Sequence, residues 1–368
     1  MEGDLIKIDK WMMPLSWLYG AVTATRNWLF DIGVLKSISY PIPVIGVGNI
    51  TVGGTGKTPH VEYLIRLLSE HYKVAVLSRG YKRQTKGYLL ANSETKMQDI
   101  GDEPWQVKQK FPNVYVAVDS NRRNGIRHLL EDEATRDVEV ILLDDAYQHR
   151  YVKPGMNVLL IDYHRMITDD ALLPAGRLRE SSKGRRRAQI VITTKCPAGI
   201  TPMDFRVVQS ALQLRPYQQL FFSTFRYGDM QGLFNGKTRP LRSIEAEEHV
   251  MLLTGIASPE QMKMDLRRYT RHITPVSFPD HHFFTPEDAQ HVEDEFKKLS
   301  PPRLIITTEK DASRLRQCTS LSEMVKQSLY ALPIQVEIMR DEQTKFNDNI
   351  LGYVRKDSRN SKLAEGKN

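Results

Sequence analysis

Cysteine is scarce in this chain. Cys196 and Cys318 stand alone among 368 residues, far apart and outside any metal-binding spacing. That argues against a disulfide scaffold and a structural zinc site and suits a reducing cytosol, and neither thiol is expected to be catalytic. Long apolar runs are lacking too. The uncharged tract near the N-terminus carries Pro14 and stops at Arg26, short of the ~20 residues needed to cross a bilayer. It has no uninterrupted apolar core followed by a small-residue cleavage site, so no secretory leader is expected. Internal repeats are absent, and the one biased tract is the basic run Lys183-Gly184-Arg185-Arg186-Arg187. Negative charge is in deficit: 44 acidic against 52 basic residues leave a net charge of +8. Such an excess favours an anionic partner, whether nucleotide phosphate, nucleic acid or an acidic membrane surface. Aromatics are not interleaved with the basic runs, which disfavours nucleic acid.

The composition is that of a globular protein, and the length asks for two α/β domains. Short apolar runs rich in β-branched residues, at 44–47, 73–78, 114–118, 138–143, 158–161 and 190–193, read as strands buried on both faces. Amphipathic stretches at 59–70, 104–111 and 120–131 lie between them. This order predicts a mostly parallel sheet with helices on both faces over residues 36–218. An extended linker is expected over 219–248, a smaller C-terminal α/β domain over 249–354, and a polar, mobile tail over 355–368. Residues 1–35 hold Trp11, Trp17 and Trp28 beside Lys7, Lys10 and Arg26. They read either as an amphipathic helix lying in a membrane interface or as a helix packed on its own domain.

Chemistry is concentrated at a few strand exits. After the first apolar run comes Gly48-Asn49-Ile50-Thr51-Val52-Gly53-Gly54-Thr55-Gly56-Lys57-Thr58, a glycine-rich turn opening a helix. Backbone N–H groups in such a turn can wrap a nucleotide's phosphates because no Cβ blocks the approach. Lys57 would neutralise phosphate charge, and the Thr58 hydroxyl would ligate Mg²⁺. Residues 140–143 run into Asp144 and Asp145, an apolar strand ending in two carboxylates able to hold Mg²⁺ or its water. Gln148 and His149 follow in the same loop. Asp102 and Glu103 precede a helix, and Asp102 reads either as a helix cap or as part of a base. Asp280-His281-His282 could supply its imidazole partner. Arg79, Arg122 and Arg179 leave strands or turns where guanidinium groups can clamp an anion.

These segments, in this order, closely resemble the tetraacyldisaccharide 4'-kinase (lipid A 4'-kinase) family of Gram-negative bacteria. The resemblance rests on Pro14 to Tyr19 with Arg26-Asn27-Trp28, the glycine turn, Leu77 to Tyr81, and Gly101-Asp102-Glu103-Pro104. It continues through Asp144-Asp145 with Gln148-His149, residues 172–180, Phe278 to His282 and Thr308-Glu309-Lys310-Asp311. The family's own loop carries threonine at the position of Thr51. Ala146 and Arg177 depart from the family pattern, which has glycine and proline there.

The resemblance implies a P-loop fold and transfer of phosphate from ATP, with Mg²⁺, to the 4'-hydroxyl of an acylated glucosamine disaccharide 1-phosphate. It places the protein peripherally on the cytoplasmic face of the inner membrane of a Gram-negative bacterium, against an anionic lipid surface, as a monomer without a nucleic-acid partner. Carried over, Asp102 and His281 form the base couple. Lys57, Asp144 and Asp145 join them as catalytic residues, and residues Thr51 to Thr58 with Gln148 and His149 bind nucleotide. Asn49, Arg79, Glu103, Arg122 and Arg179 meet the acceptor, and Thr58, Asp144, Asp145 and Glu103 serve the metal. With the base divided between two domains, closure is expected for turnover. The competing reading is a P-loop GTPase or metallochaperone switch. Its guanine-reading element is missing, since Thr193-Thr194-Lys195-Cys196 fails at the aspartate and Glu309-Lys310-Asp311 lacks the intervening residue.

Overall fold

The computed structural model describes residues 8–255, 259–279 and 282–365, the last seven as backbone only. Asp280, His281 and Lys7 therefore lie outside the described residues. The chain forms two compact units. One comprises the chain up to Phe225 together with the chain from Val336 onward, and the other spans Arg226–Gln335.

In chain order the elements are α1 (Met13–Asp31), β1 (Val44–Gly48), α2 (Lys57–Ser69), β2 (Val74–Ser78), β3 (Leu89–Leu90), α3 (Met97–Ile100), α4 (Asp102–Lys110), β4 (Tyr115–Val118), α5 (Arg122–Glu131), β5 (Val140–Asp144), β6 (Met156–Asp162), β7 (Ile190–Thr194), α6 (Pro202–Leu212) and β8 (Gln219–Tyr227). There follow β9 (Met230–Gly232), β10 (Thr238–Arg239), β11 (His249–Thr254), α7 (Glu260–Leu266), β12 (Ile273–Ser277), α8 (Pro286–Lys297), β13 (Arg303–Thr308), α9 (Glu309–Leu315), α10 (Glu323–Ser328), β14 (Leu329–Leu332), β15 (Ile334–Ile338) and α11 (Gln343–Glu365).

The larger unit is built on a nine-stranded sheet in the order β15-β8-β7-β6-β1-β5-β2-β4-β3. Its strands from β8 to β4 run parallel, and β3 is an antiparallel edge. Alternate residues serve the two faces. Ile45, Val47 and Val76 pack with Leu64 and Ile65 of α2 on one side, while Val44, Leu77 and Ile141 pack with Ile126 of α5 on the other. Each such buried side chain is worth roughly 1.5–3 kcal/mol relative to exposure, which explains why the central runs contain almost no polar residues. Val47 of β1 lies opposite Asp144 of β5. The loops leaving these two strands are therefore neighbours at the carboxyl edge, where open α/β sheets bind their ligands.

The smaller unit carries a six-stranded sheet, β10-β9-β14-β13-β11-β12. Strands β14 to β12 are parallel, and β9 and β10 are antiparallel.

The chain is divided differently from the sequence expectation in three places. The segment from 219 is not an extended linker. It is β8, paired with β7 in the large sheet, because Phe221 and Phe222 are buried on opposite sides of it. The last two strands do not stay together: β14 pairs with β13, whereas β15 joins β8. The tail is helical to Glu365. Phe346, Ile350 and Val354, spaced at four, bury α11 in the core of the larger unit, so the second domain ends near 335 rather than 354.

Candidate active site

The glycine turn is held from several sides. Asn49 is buried, and its Nδ2 donates to Thr55 Oγ1 at 2.8 Å, tying the two ends of the loop together. Thr194 Oγ1, at the end of β7, donates to Thr55 O at 2.9 Å. Thr51 pairs antiparallel with Leu178: Val52 N–H donates to Arg177 O, and Arg179 N–H donates to Ile50 O, each at 2.8 Å. Gly53 and Gly56 adopt positive φ of 115° and 81°. A Cβ on Gly56 would also lie 2.8 Å from Phe225 Cζ, so this position demands glycine twice over. Gly56 caps α2 with no side-chain hydrogen bond, which leaves first-turn N–H groups for an anion. Val52, Gly53 and Gly54 are exposed, and Thr58 sits half-buried in the first turn.

Four residues beyond Gly56, His60 braces the loop from beneath. Its Nδ1 lies 2.7 Å from Gly56 O and its Nε2 lies 2.9 Å from Ser223 Oγ. Burial lowers its pKa to about 4 against the pull of the Gly56 bond, so it works as a neutral strut. Glu62, on the same helix, is equally buried. It holds Lys110 at 2.7 Å, Arg66 at 3.3 Å and Gln106 at 2.9 Å, fixing α2 to α4.

The two carboxylates at the end of β5 have opposite fates. Asp145 takes a left-handed φ of 46°. It faces Lys57 Nζ at 3.5 Å and Arg179 Nη1 at 3.2 Å. Burial would raise its pKa, but those two cations outweigh burial and hold it below the usual carboxylate range. Asp144 is pushed up to about 6, by burial first and then by Asp145, with Lys57 and Arg122 pulling it back and Glu103 adding to the rise. Its Oδ1 is buried without a hydrogen-bond partner among the described residues. Leaving such an oxygen unsatisfied costs roughly 1–3 kcal/mol or more, a stress that a ligand can relieve.

Arg122 is not an exposed clamp. It is buried, and donates to Asp119 O at 2.7 Å and to Asp144 O at 3.1 Å. It thus fixes the backbone that presents Asp144. Burial lowers its pKa to about 10 despite Asp144 and Asp145, and its Nε has no partner. Gln148 is likewise a tie, donating to Asn49 O at 2.7 Å and to Glu180 Oε1 at 3.1 Å. Ala146 keeps ordinary backbone geometry because Asp145 takes the left-handed turn one residue earlier. His149 is driven down to about 4 by burial and by Arg122, Arg26 and Arg79. It is thus a neutral imidazole, and its buried Nε2, without a partner among the described residues, is able to meet a ligand.

Asp102 and Glu103 open α4, where the helix dipole favours negative charge. Gly101 before them has φ 90°, and a Cβ there would lie 2.7 Å from Tyr81 O. The Arg79-Gly80-Tyr81 turn after β2 and the start of α4 are thereby packed backbone to backbone. Arg79, Glu103, Arg122, Asp144, Asp145, Lys57 and Arg179 thus share one electrostatic neighbourhood. His281 lies outside the described residues.

Sequence reasoning gave no role to His60, Glu62 or Glu180. Glu180 is buried and gathers Arg187 at 2.8 Å, Gln148 at 3.1 Å and Asn27 at 3.3 Å. For His60 and Glu62 a signal existed, since a polar residue on the apolar face of an amphipathic helix must find partners.

The family model for tetraacyldisaccharide-1-P 4'-kinase, LpxK, matches residues 8–355. A tetraacyldisaccharide 4'-kinase of Phocaeicola vulgatus is 55% identical over 366 residues, covering 99% of this chain and 100% of that protein. One from Porphyromonas gingivalis is 44% identical over 95% of this chain and 99% of its own length. A crystal structure described as the "apo" form of LpxK from Aquifex aeolicus in complex with ATP superposes with a TM-score of 0.69 at 28% identity. It covers 93% of this chain and 98% of that one. Matched along nearly its whole length, the chain belongs to the tetraacyldisaccharide 4'-kinase family.

Proposed function

We propose that this protein transfers the terminal phosphoryl group of ATP to the 4'-hydroxyl of a tetraacylated glucosamine disaccharide 1-phosphate, a step of lipid A biosynthesis. One observation carries the site assignment: Lys57, Asp145 and Arg179 form a chain of ion pairs beside the unpartnered Oδ1 of Asp144. Phosphoryl transfer depends chiefly on positioning and charge neutralisation. Lys57 and the N–H groups at the start of α2 neutralise the phosphates, and Asp145 holds Lys57 in place until they arrive. Arg179, anchored through its backbone to the glycine turn, faces the acceptor side together with Arg79.

Among the described residues no trio of His, Cys, Asp and Glu side chains gathers to hold a metal. The donors present fit magnesium all the same. This ion keeps several waters and takes one or two carboxylates plus phosphate oxygens, and Asp144 Oδ1 and the Thr58 hydroxyl are hard oxygens beside the turn. When bound, magnesium held by Asp144 and Thr58 would supply positive charge to offset the negative charge that spreads over the transferring phosphoryl group. Asp144 is better placed for it than Asp145, whose carboxylate is already engaged by two cations. Asp102, at the positive end of α4 beside Glu103, is our candidate to accept the proton of the sugar hydroxyl. The partnership expected of His281 rests on sequence and is tested kinetically below.

We also propose that α1 lies against an anionic membrane surface. No helix among the described residues is long and apolar enough to cross a membrane, but Trp11, Leu15, Trp17, Leu18, Val22 and Trp28 are exposed, and the chain is strongly basic. Interfacial indoles with nearby basic charge suit such a surface.

The decisive experiment is phosphate transfer from radiolabelled ATP to the acylated disaccharide 1-phosphate, with plain sugars as controls and GTP as competitor. Labelled lipid is the expected product. A preference for GTP, or nucleotide hydrolysis without lipid product, would favour the nucleotide-switch reading instead.

A further inference from the structure

Helix α1 is built inside out. Most of its apolar residues face away from the protein, with Trp17 68%, Leu18 64%, Val22 61% and Trp28 57% exposed, while Phe30 near its C-terminal end is buried. Its polar residues Ser16, Tyr19, Thr23, Arg26 and Asn27, at helical spacing, make the inward stripe. That stripe is bonded to the loops of the active site. Ser16 Oγ donates to Leu172 O and accepts from Ala175 N–H, both at 2.9 Å. Tyr19 OH donates to Arg179 O at 2.7 Å. Arg26 donates to Gln148 O at 3.1 Å, and Asn27 Nδ2 donates to Glu180 Oε2 at 3.3 Å. Arg150, two residues beyond Gln148, returns a bond to Asn27 O at 2.8 Å and pairs with Asp31 at 2.6 Å. Gly20 permits the close approach, since a Cβ there would lie 2.8 Å from Leu172 Cδ1.

We infer that α1 is a positioning brace for the two loops that present Asp145, Gln148 and Arg179, so that seating its apolar face in a lipid surface raises turnover itself and not only the local substrate concentration. The inference rests on the kinase and membrane readings above. In water the outward stripe is exposed, and apart from Phe30 the helix has little apolar packing to hold it. Its grip on the loops then rests on the polar bonds just named, each modest when water competes, and on Phe30, buried near its C-terminal end against Tyr151 and Arg150. Against lipid, the buried apolar area fixes the helix. The ordering free energy of the loops is then already met before substrate arrives, and the same bonds hold Arg179 in register. Ser16, Tyr19 and Asn27 act here through other residues and are positioning residues.

The test uses the full chain, a water-dispersed short-acyl disaccharide 1-phosphate as acceptor, and substrate-free phosphatidylglycerol/phosphatidylethanolamine vesicles. For the unaltered protein, vesicles should raise kcat several-fold, leaving the KM for ATP little changed. Tyr19→Phe and Ser16→Ala should still sediment with vesicles, keep their thermal melting temperature within a few degrees, lose most of the vesicle stimulation, and turn over about 2- to 10-fold more slowly on vesicles. Trp17→Ser with Leu18→Ser should keep the vesicle-free kcat and lose both sedimentation and stimulation. The inference is overturned if vesicles leave the wild-type kcat unchanged while the protein sediments, or if Tyr19→Phe and Ser16→Ala are both stimulated like wild type. Absence of sedimentation would fail the membrane reading, and absence of any labelled acceptor would fail the kinase reading. The three failures are therefore separable.

Discussion

Each of the two mostly parallel sheets carries an aspartate at its carboxyl edge, Asp144 at the end of β5 and Asp311 in the first turn of the helix after β13, and the two carboxylates are treated in opposite ways. In the smaller unit Asp311, at the start of α9, is fully engaged. It accepts from Gly255 N–H at 2.9 Å and Thr308 Oγ1 at 2.8 Å, and it pairs with the equally buried Arg314 at 3.4 Å. In the larger unit Asp144 is left with an oxygen that nothing among the described residues satisfies, and Asn49, Arg122 and His149 each carry another buried polar atom without such a partner. A satisfied buried charge specifies structure, whereas a cluster of unsatisfied polar atoms is a stress that a ligand can relieve. The same residue type at the same kind of strand exit therefore signals scaffold in one sheet and site in the other.

The contrast can be broken in several places. Lys57→Ala should have the largest effect, lowering kcat by about 10³-fold or more, because a cation aimed at developing phosphate charge is lost from a water-poor site. Steady-state kinetics would read this directly. Next, Asp311→Ala should destabilise the protein by about 3–5 kcal/mol, since a buried ion pair with Arg314 is broken and Gly255 N–H and Thr308 Oγ1 lose their acceptor.

Asp144→Asn should do the reverse. The raised pKa means that the folded state holds a proton, between pH 3.8 and about 6, that the unfolded state has released. Stability accordingly falls as pH rises through that window and stays lower above it, by on the order of 2–3 kcal/mol. Removing the charge should restore this at pH 8 in denaturant titrations while abolishing most activity. Equal destabilisation by both substitutions would dissolve the distinction between scaffold and site. Gly56→Ala should cost about 1–3 kcal/mol through left-handed strain, and its nucleotide affinity should fall with it. His281→Ala and Asp102→Ala should each lower kcat while leaving ATP affinity largely intact. A change confined to KM would remove His281 from proton transfer. The smallest effect is a pH limb: if Asp144 must ionise, kcat/KM should rise with unit slope through about pH 6, and a flat profile there would show that its charge is not needed.

Much of the larger unit was legible because its chemistry is local. The glycine turn, the apolar strand ending in Asp144 and Asp145, and the strand–helix alternation are patterns that short-range sterics and burial impose on neighbouring residues. What stayed hidden depends on distant partners. That β14 and β15 enter different sheets cannot be read from two apolar runs separated by Pro333. Nor does a polar sequence after 355 reveal that Phe346, Ile350 and Val354 have already anchored the helix. At the site, the positions of Arg122 and Gln148 were evident, but their work was not. Whether a guanidinium at a strand exit clamps a ligand or a neighbouring carbonyl is decided by burial, and the buried Arg122 is engaged by the carbonyls of Asp119 after β4 and Asp144 at the end of β5.

With the glycine turn and Arg179 in the roles proposed for them, the short antiparallel pairing between Thr51 and Leu178 would make donor and acceptor recognition share a single piece of backbone. Any ligand that draws the glycine turn inward must carry the carbonyl of Arg177 and the amide of Arg179 with it. Thermodynamic reciprocity then requires that occupancy of either side alter the affinity of the other by the same factor, so the two substrates of this enzyme should never bind as strangers.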